Sequence, residues 1–387
     1  MKHPLRILHI FRAPVAGLFR HVCDLARAQA QAGYEVGIIC DADTGGSEGA
    51  AALAKLEPYC ALGINRTPMS RQIGLRDFAA GRRVREWAKQ LDADILHGHG
   101  AKGGAYARFA KRHVEAKAFY TPHGGSLNFN KTNPIGLFYH GLEKILMGAT
   151  DGLIFESAFA KSTWQTKIGA ITCPNKVVHN GLLEGDFVPV THQQASYDFV
   201  FVGELRDIKG VDVLLHALAA LKTDHKFRAL IVGDGPERTK LTSLCQTLQL
   251  NDMVDFAGAM PARLAFAKAR HLVVPSFKES LPYIVLEAAA AAQPLTATNV
   301  GGISEIFGPF SEHLIAPQDV GVLRNALQTA LDEGPTGRRR AKALRKHVQA
   351  HFTVERMSAD VIAFYLEQMA KSHARVRSRI TTTSPAQ

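Results

Sequence analysis

The sequence predicts an α/β chain of two halves, each a parallel sheet covered by helices in the Rossmann manner. Three observations carry this. Short β-rich runs alternate with helix-length segments along nearly the whole chain. Such alternation needs crossover helices, and these make parallel sheets buried on both faces. The pattern lapses once, at GDFVPVTHQQASY (185–197), which is polar, contains proline and lacks periodicity. The length of 387 residues gives room for two domains of ordinary size. The expected domains are 1–188 and 189–353, followed by a helical segment over 354–380.

The elements follow in order. First-half strands are expected at Leu5–Phe11, Tyr34–Cys40, Asp94–His99, Ala118–His123, Gly152–Glu156 and Lys176–Asn180. AGLFRH (16–21) is a glycine turn between the first strand and first helix, where Gly17 lets the backbone approach a phosphate. Arg71–Gln90 reads as a basic amphipathic helix. Its apolar residues Ile73, Phe78, Val84 and Trp87 make either a core face or a face that meets a membrane surface. AKGGAYARFAKR (101–112) starts a further helix, and Lys102 with its glycines is a candidate phosphate contact. His123, in YTPHG, ends an apolar strand; a lone histidine there is either structural or part of a site. With His97 and His99 of LHGHG it also permits a metal reading, but no carboxylate or cysteine ligand is spaced with them.

Second-half strands are expected at Asp198–Gly203, Phe227–Val232, Met253–Ala257, His271–Pro275, Pro294–Asn299 and His313–Ala316. Arg206 and Lys209, in GELRDIKG, follow the first of these, at the sheet edge where such folds bind ligands. IVGDGPE (231–237) imitates a dinucleotide fingerprint, but its third glycine position is Arg238, so that reading fails. In ESLPYIVLEAAAAAQ (279–293), Ser280 can cap a helix and Pro282 suits its first turn. The alanine-rich run then propagates the helix. A helix start offers unpaired N–H groups and partial positive charge, which suits a diphosphate. Glu279 would lie just before that anion site and Glu287 about two turns inside. One acid on each side of a diphosphate is what a nucleotide-sugar needs; the alternative is a buried helix with two surface glutamates.

Composition is that of a soluble globular chain. No stretch approaches the ~20 unbroken apolar residues of a membrane span, and LRILHIF is too short for a secretory signal. Five scattered cysteines form neither a disulfide framework nor a zinc pattern, consistent with a cytoplasmic setting. The formal net charge of +11 allows nucleic acid, an anionic membrane or a diphosphate substrate as partner. No nucleic-acid-binding signature accompanies it, so no nucleic-acid partner is expected. The Asp-x-Asp strings Asp41–Asp43 and Asp92–Asp94 sit at strand ends and read as turn residues.

The Glu279–Glu287 segment, PLTATNVGGISEI (294–306), VGELRDIKGVDVLL (202–215), IVGDGPERTKL (231–241), VDFAGAMP (254–261), AGLFRHVCDLA (16–26) and YTPHG (120–124) together resemble the retaining glycosyltransferases of family four, bacterial exopolysaccharide members in particular. Each motif is short; their joint order is specific. The resemblance implies the GT-B fold, two Rossmann-like domains with parallel sheets facing across a cleft. The first would be acceptor-side and the second the nucleotide-sugar donor domain, with the last helix crossing back to the first. It implies His123 and Glu279 at the reacting sugar, and Gly17, Arg206, Lys209, Gly258, Ser280, Leu281, Tyr283 and Glu287 around the donor. His21 would lie on the acceptor side, with Lys102 receiving an acceptor phosphate. The family carries arginine where this chain has Glu204, and Arg206 is the expected substitute.

The expected activity is retaining transfer of a hexose from a nucleoside-diphosphate sugar, UDP first, to a sugar or lipid-linked acceptor in surface-polysaccharide synthesis. No metal and no cofactor are expected. The expected location is cytoplasmic, peripheral on an anionic inner-membrane face. A UDP-sugar 2-epimerase of the same fold and a basic nucleic-acid-binding protein are the alternatives.

Overall fold

The computed structural model describes residues 3–74, 76–130, 133–192 and 195–382. They form two compact units. The first holds the described residues up to Gly181 and again from Val354; the second is Leu182–Thr353.

The first unit has seven parallel strands: β1 Arg6–Ile10, β2 Glu35–Asp41, β3 Ile64–Thr67, β4 Ile95–His99, β5 Lys117–Thr121, β6 Gly152–Phe155 and β7 Asn175–Val177. Their order across the sheet is β3-β2-β1-β4-β5-β6-β7. Between them run α1 Ala16–Gln31, α2 Gly46–Leu56, α3 Arg76–Gln90, α4 Gly100–Ala110, α5 Pro134–Met147 and α6 Ala158–Lys167. Side chains alternate across the strands. Leu8, Ile10, Ile39 and Leu96 pack with α3 and α4, while Val36, Ile38 and Cys40 pack with α1 and α2.

The second unit is a five-stranded parallel sheet: β8 Tyr197–Val202, β9 Ala229–Val232, β10 Val254–Gly258, β11 Ala269–Val274 and β12 Leu295–Ala297, in the order β10-β9-β8-β11-β12. Its helices are α7 Val211–Leu221, α8 Arg238–Thr247, α9 Ala262–Lys268, α10 Tyr283–Ala290, α11 Ile303–Phe307, α12 Val320–Asp332 and α13 Pro335–His351. Phe199, Phe201, Ile231 and Val273 face α7, α8 and α12; Val200, Leu230, Leu272 and Val274 face α9 and α10. The last helix, α14 Val354–Thr382, packs on α1 and β6 of the first unit.

Five expectations need correction. The sequence reading missed β3, because INRT is a short, half-polar edge strand without an apolar run. His313–Ala316 is no strand; it contributes one bridge, Ile315 to Thr298. α3 begins at Arg76, not Arg71, and Leu75 lies outside the described residues. The division of the chain falls at 181/182, because Leu182 already bridges to Thr353 within the second unit. The last helical segment, expected over 354–380, runs to Thr382, and 383–387 lie outside the described residues.

At Gly103, α4 touches the sheet too closely for a side chain. A Cβ on Gly103 would lie 2.0 Å from the Ile10 carbonyl oxygen, whereas one on Gly141, in α5, would meet nothing within 4 Å. Gly103→Ala is therefore expected to destabilise the chain by about 3 kcal/mol through overpacking. Gly141→Ala should stabilise it by roughly 0.5–1 kcal/mol, since alanine is the better helix former. Urea denaturation of both variants checks this, and a tolerated Gly103→Ala would contradict the packing.

Candidate functional site

In the second unit, the residues of interest sit on loops at the C-terminal ends of β8, β11 and β12. Lys209 Nζ donates to Glu279 Oε1 at 2.7 Å, and Ser276 Oγ donates to the same oxygen at 2.7 Å. Ser276 is itself held, because Thr298 Oγ1 donates to its carbonyl at 2.6 Å. The Glu279 side chain is only 9% exposed and that of Lys209 22%, so the pair is shielded from water more than a surface ion pair is.

Two glycines allow this approach. Gly210 has φ +67°, and a Cβ there would lie 2.1 Å from the Pro275 carbonyl oxygen. Gly301 has φ +62°, and a Cβ there would lie 2.0 Å from the Glu279 carbonyl oxygen. Backbone bonds from Phe277 to Ile208 and from Gly302 to Ser280 close the same contacts.

The helix after Glu279 starts later than the sequence reading had it. α10 begins at Tyr283 with Pro282 in the N-cap position, so Ser280 is no cap; its carbonyl accepts from Gly302 instead. Proline lacks an N–H and is easily placed at such a boundary. Leu281 and Tyr283 are buried at this start. Glu287 is the fifth residue of α10, about one turn inside and not two, and half-buried. Arg206 is exposed and lies 3.6 Å from Glu204, the residue standing where arginine was expected. Gly258 ends β10 at φ +72°, where its carbonyl accepts from Gly233.

The first unit presents a layer of histidines. β1 and β4 pair in a register that sets His9 beside His97. His97 and His99, two apart on β4, point to the same face. α1 and α14 cover that face: Gln29 Oε1 accepts from His9 Nε2 at 2.8 Å, and Tyr365 Oη bonds His97 Nδ1 at 2.6 Å. His97 Nε2 meets Thr121 Oγ1 at 2.8 Å. His9 Nδ1 meets His99 Nε2 at 2.9 Å, and His99 Nδ1 meets His123 Nε2 at 3.1 Å. His21, on α1, donates from Nδ1 to Asn180 Oδ1 at 3.0 Å and stacks edge-on against His123.

His123 itself has φ +48°, a left-handed conformation unusual for a residue with a side chain, and Gly124 and Gly125 continue it. Such strain is found at sites that position a group. Removal from water lowers the pKa of His9 and His21 to about 4, and that of His97, His99 and His123 well below the ordinary value. All five are neutral in the fold.

Other expected contacts are placed differently. Lys102 Nζ is committed to Asp77 at 2.6 Å and to the Gln72 carbonyl at 3.0 Å, with its side chain 13% exposed. Its charge is therefore compensated inside the fold, as that of Lys209 is by Glu279. At the first glycine turn, the left-handed residue is Ala16, φ +57°, and not Gly17, which lies inside α1. Sequence reasoning also missed Ser276, Asn180, Gln29 and His9. Of these only His9, a polar residue inside the apolar run LRILHIF, left a visible signal.

Residues 15–182 match the family model described as Glycosyltransferase Family 4, and residues 186–347 match that described as Glycosyl transferases group 1. The chain is 25% identical to the glycogen synthase of Mycobacterium tuberculosis over 377 residues, 91% of each chain. The structure resembles sucrose-phosphate synthase from Thermosynechococcus elongatus with a TM-score of 0.79 at 21% identity, covering 96% of this chain and 100% of that one. It resembles HepE from Anabaena, solved in complex with UDP-glucose, with a TM-score of 0.76 at 17% identity, over 95% and 100% of the two chains.

The histidine layer sets a pH dependence. Unfolded histidines take up protons below about pH 6.5, while folded His9 and His21 refuse them until about pH 4 and the other three are held well below their ordinary value. Between those limits the unfolded state binds more protons, so stability falls as pH falls, by up to roughly 1.4 kcal/mol per pH unit for each histidine. Thermal melts should therefore show a midpoint that drops steadily from pH 7 to pH 5. A flat profile over that range would mean that these side chains are solvated.

Proposed function

The chain belongs to the family-4 glycosyltransferases of the GT-B fold, and from that premise we propose that it moves a hexose from UDP to a sugar or lipid-linked acceptor, with retention at the anomeric carbon, in surface-polysaccharide assembly. The observation that carries the reading is the Lys209–Glu279 pair ahead of the α10 N-terminus. A diphosphate competes for the Lys209 ammonium and for the first N–H groups of α10. Its arrival releases the Glu279 carboxylate to accept bonds from the hydroxyls of the transferred sugar. Ser276 keeps that carboxylate in place meanwhile.

Glu287 takes the ribose, and Arg206 assists Lys209 at the outer phosphate. Ser280, Leu281 and Tyr283 shape the donor contact, with Gly258 beside the base and Gly17 near a phosphate. His123 is assigned to the donor sugar and His21 to the acceptor side. Cationic groups and backbone N–H groups stabilise the charge growing on the leaving phosphate, which takes the acceptor proton.

The reaction needs no metal in this reading. The Asp-x-Asp carboxylates have other work: Asp41 Oδ1 accepts from the amides of Met69 and Asp43, and Asp94 Oδ2 from that of Arg6. The UDP and UDP-glucose complexes of HepE support the choice of nucleotide.

Among the described residues no helix is long and apolar enough to cross a membrane. A peripheral, cytoplasmic-face location is part of the proposal. Of the α3 residues expected to share a core face, Val84 is buried, but Phe78 is 78% exposed and Ile73, just ahead of the helix, is also exposed. α5 turns Ile135, Leu137, Phe138 and Ile145 outward. Both helices pack against α4. Apolar side chains beside the basic run Arg82–Arg85 suit an anionic bilayer.

Glu279→Ala should lower turnover about 100-fold, or ~3 kcal/mol, while UDP binding changes little. The assay is run in EDTA, in which wild-type turnover should persist. Unchanged turnover in the folded variant would remove Glu279 from the mechanism, and loss of wild-type activity that magnesium or manganese restores would remove the metal-free reading.

The intact chain should co-sediment with anionic vesicles at low salt and come off at high salt. Phe138→Glu with Ile145→Glu, or glutamates at Arg82, Arg83 and Arg85, should weaken that binding. Equal binding to neutral vesicles, or none to either, would argue for a water-soluble acceptor.

A further inference from the structure

The potential ligand atoms of His21, His99 and His123 lie within 4.8 Å of one another. Two of these side chains are buried and His123 is partly exposed. His21 Nε2 is buried and meets no hydrogen-bond partner, although the residue is only 2% exposed. A buried nitrogen lone pair without a partner is costly, and proteins rarely leave one without reason.

The second nitrogens are arranged to keep lone pairs turned inward. With Asn180 Oδ1 accepting from His21 Nδ1, the His21 proton sits on Nδ1 and its lone pair on Nε2. With Gln29 Oε1 accepting from His9 Nε2, His9 Nδ1 is an acceptor, so His99 donates from Nε2 and its Nδ1 carries the lone pair. His123 Nε2 donates to that Nδ1 at 3.1 Å. A shift of the His123 proton to its other nitrogen turns this last bond into two converging lone pairs, with no change of charge.

We infer that His21, His99 and His123 bind a borderline divalent cation such as Zn2+, through three imidazole nitrogens with the fourth position open on the partly exposed side of His123. Neutral imidazoles without carboxylates favour zinc, copper or nickel over magnesium, calcium or manganese. The outer bonds to Asn180 and to His9–Gln29 are the kind of support that metal-bound histidines have. Metal–nitrogen bonds of about 2.0–2.1 Å require the three nitrogens to close to roughly 3.3 Å, a movement of His21 and His123 toward His99. The neighbouring trio His9, His97 and His99 also clusters, but both nitrogens of His9 and both of His97 already have partners. The inference stands on these nitrogens alone, and it shares His21 and His123 with the sites proposed for the acceptor and the donor sugar.

The test is titration of the chelator-stripped full chain with Zn2+ against a chromophoric chelator, with Co2+ as a spectroscopic substitute. One ion per chain is expected, with a Co2+ spectrum free of thiolate charge-transfer bands. His21→Gln should weaken binding at least 100-fold, and Asn180→Ala roughly 10-fold. His97→Gln should leave it unchanged. If His21→Gln fails to fold, the graded loss in Asn180→Ala carries the test. Binding without a defined stoichiometry, thiolate bands from the cysteines, or equal affinity in the His21 and Asn180 variants would overturn the site.

Discussion

The second unit depends on a steric constraint: loop backbones must touch where a side chain would not fit. Lys209 reaches Glu279 only because the chain beside it, at Gly210, rests on the Pro275 carbonyl. Glu279 in turn keeps its position because Gly301 rests on the Glu279 carbonyl. Both glycines also take left-handed backbone. The ion pair is therefore a product of three loops locked by contact, each fixed to a strand of one sheet. Preorganisation of this kind is what electrostatic catalysis requires, since charged groups already in place need no rearrangement during the reaction.

The first unit solves a different problem. Its central strands bury histidines where most α/β sheets bury aliphatic residues. Desolvation makes each ring neutral, and a neutral ring can be stored in a core if its nitrogens find partners. Gln29, Thr121, Tyr365 and Asn180 provide them from two helices, a strand and a loop. Hydrogen bonding between rings then fixes the tautomer of one by that of the next, from Gln29 out to His123.

Much of the fold was legible because strand and helix lengths alternate and the buried strands are mostly apolar. What escaped did so for physical reasons. β3 hides because an edge strand need not be hydrophobic. The start of α10 was misplaced because Ser280 has the chemistry of a cap, whereas its carbonyl is claimed by Gly302, a contact between segments distant in sequence. Lys102 looked free because Asp77, its partner, comes from another helix. In the candidate site the residue types were readable, Lys209, Glu279 and His123 among them. Their partners were not, because Ser276, Asn180 and Gln29 are ordinary polar residues until tertiary structure brings them near. In the first turn the left-handed backbone falls on Ala16, one residue before the glycine that marked the turn in the sequence.

The return of α14 to the first unit has a consequence for synthesis. The bond between Tyr365 and His97 joins residues 268 apart in sequence. The ribosome must therefore make the whole of Leu182–Thr353 before the helix that covers the histidines exists. At about 5–20 residues per second, those residues take on the order of ten to thirty seconds. During that time the face that α14 will cover stays open, with His97 and Phe119 side by side on it. The nascent first unit thus waits with histidines interleaved with apolar rings such as Phe119 at its open side, a smaller apolar patch than an all-aliphatic face would expose.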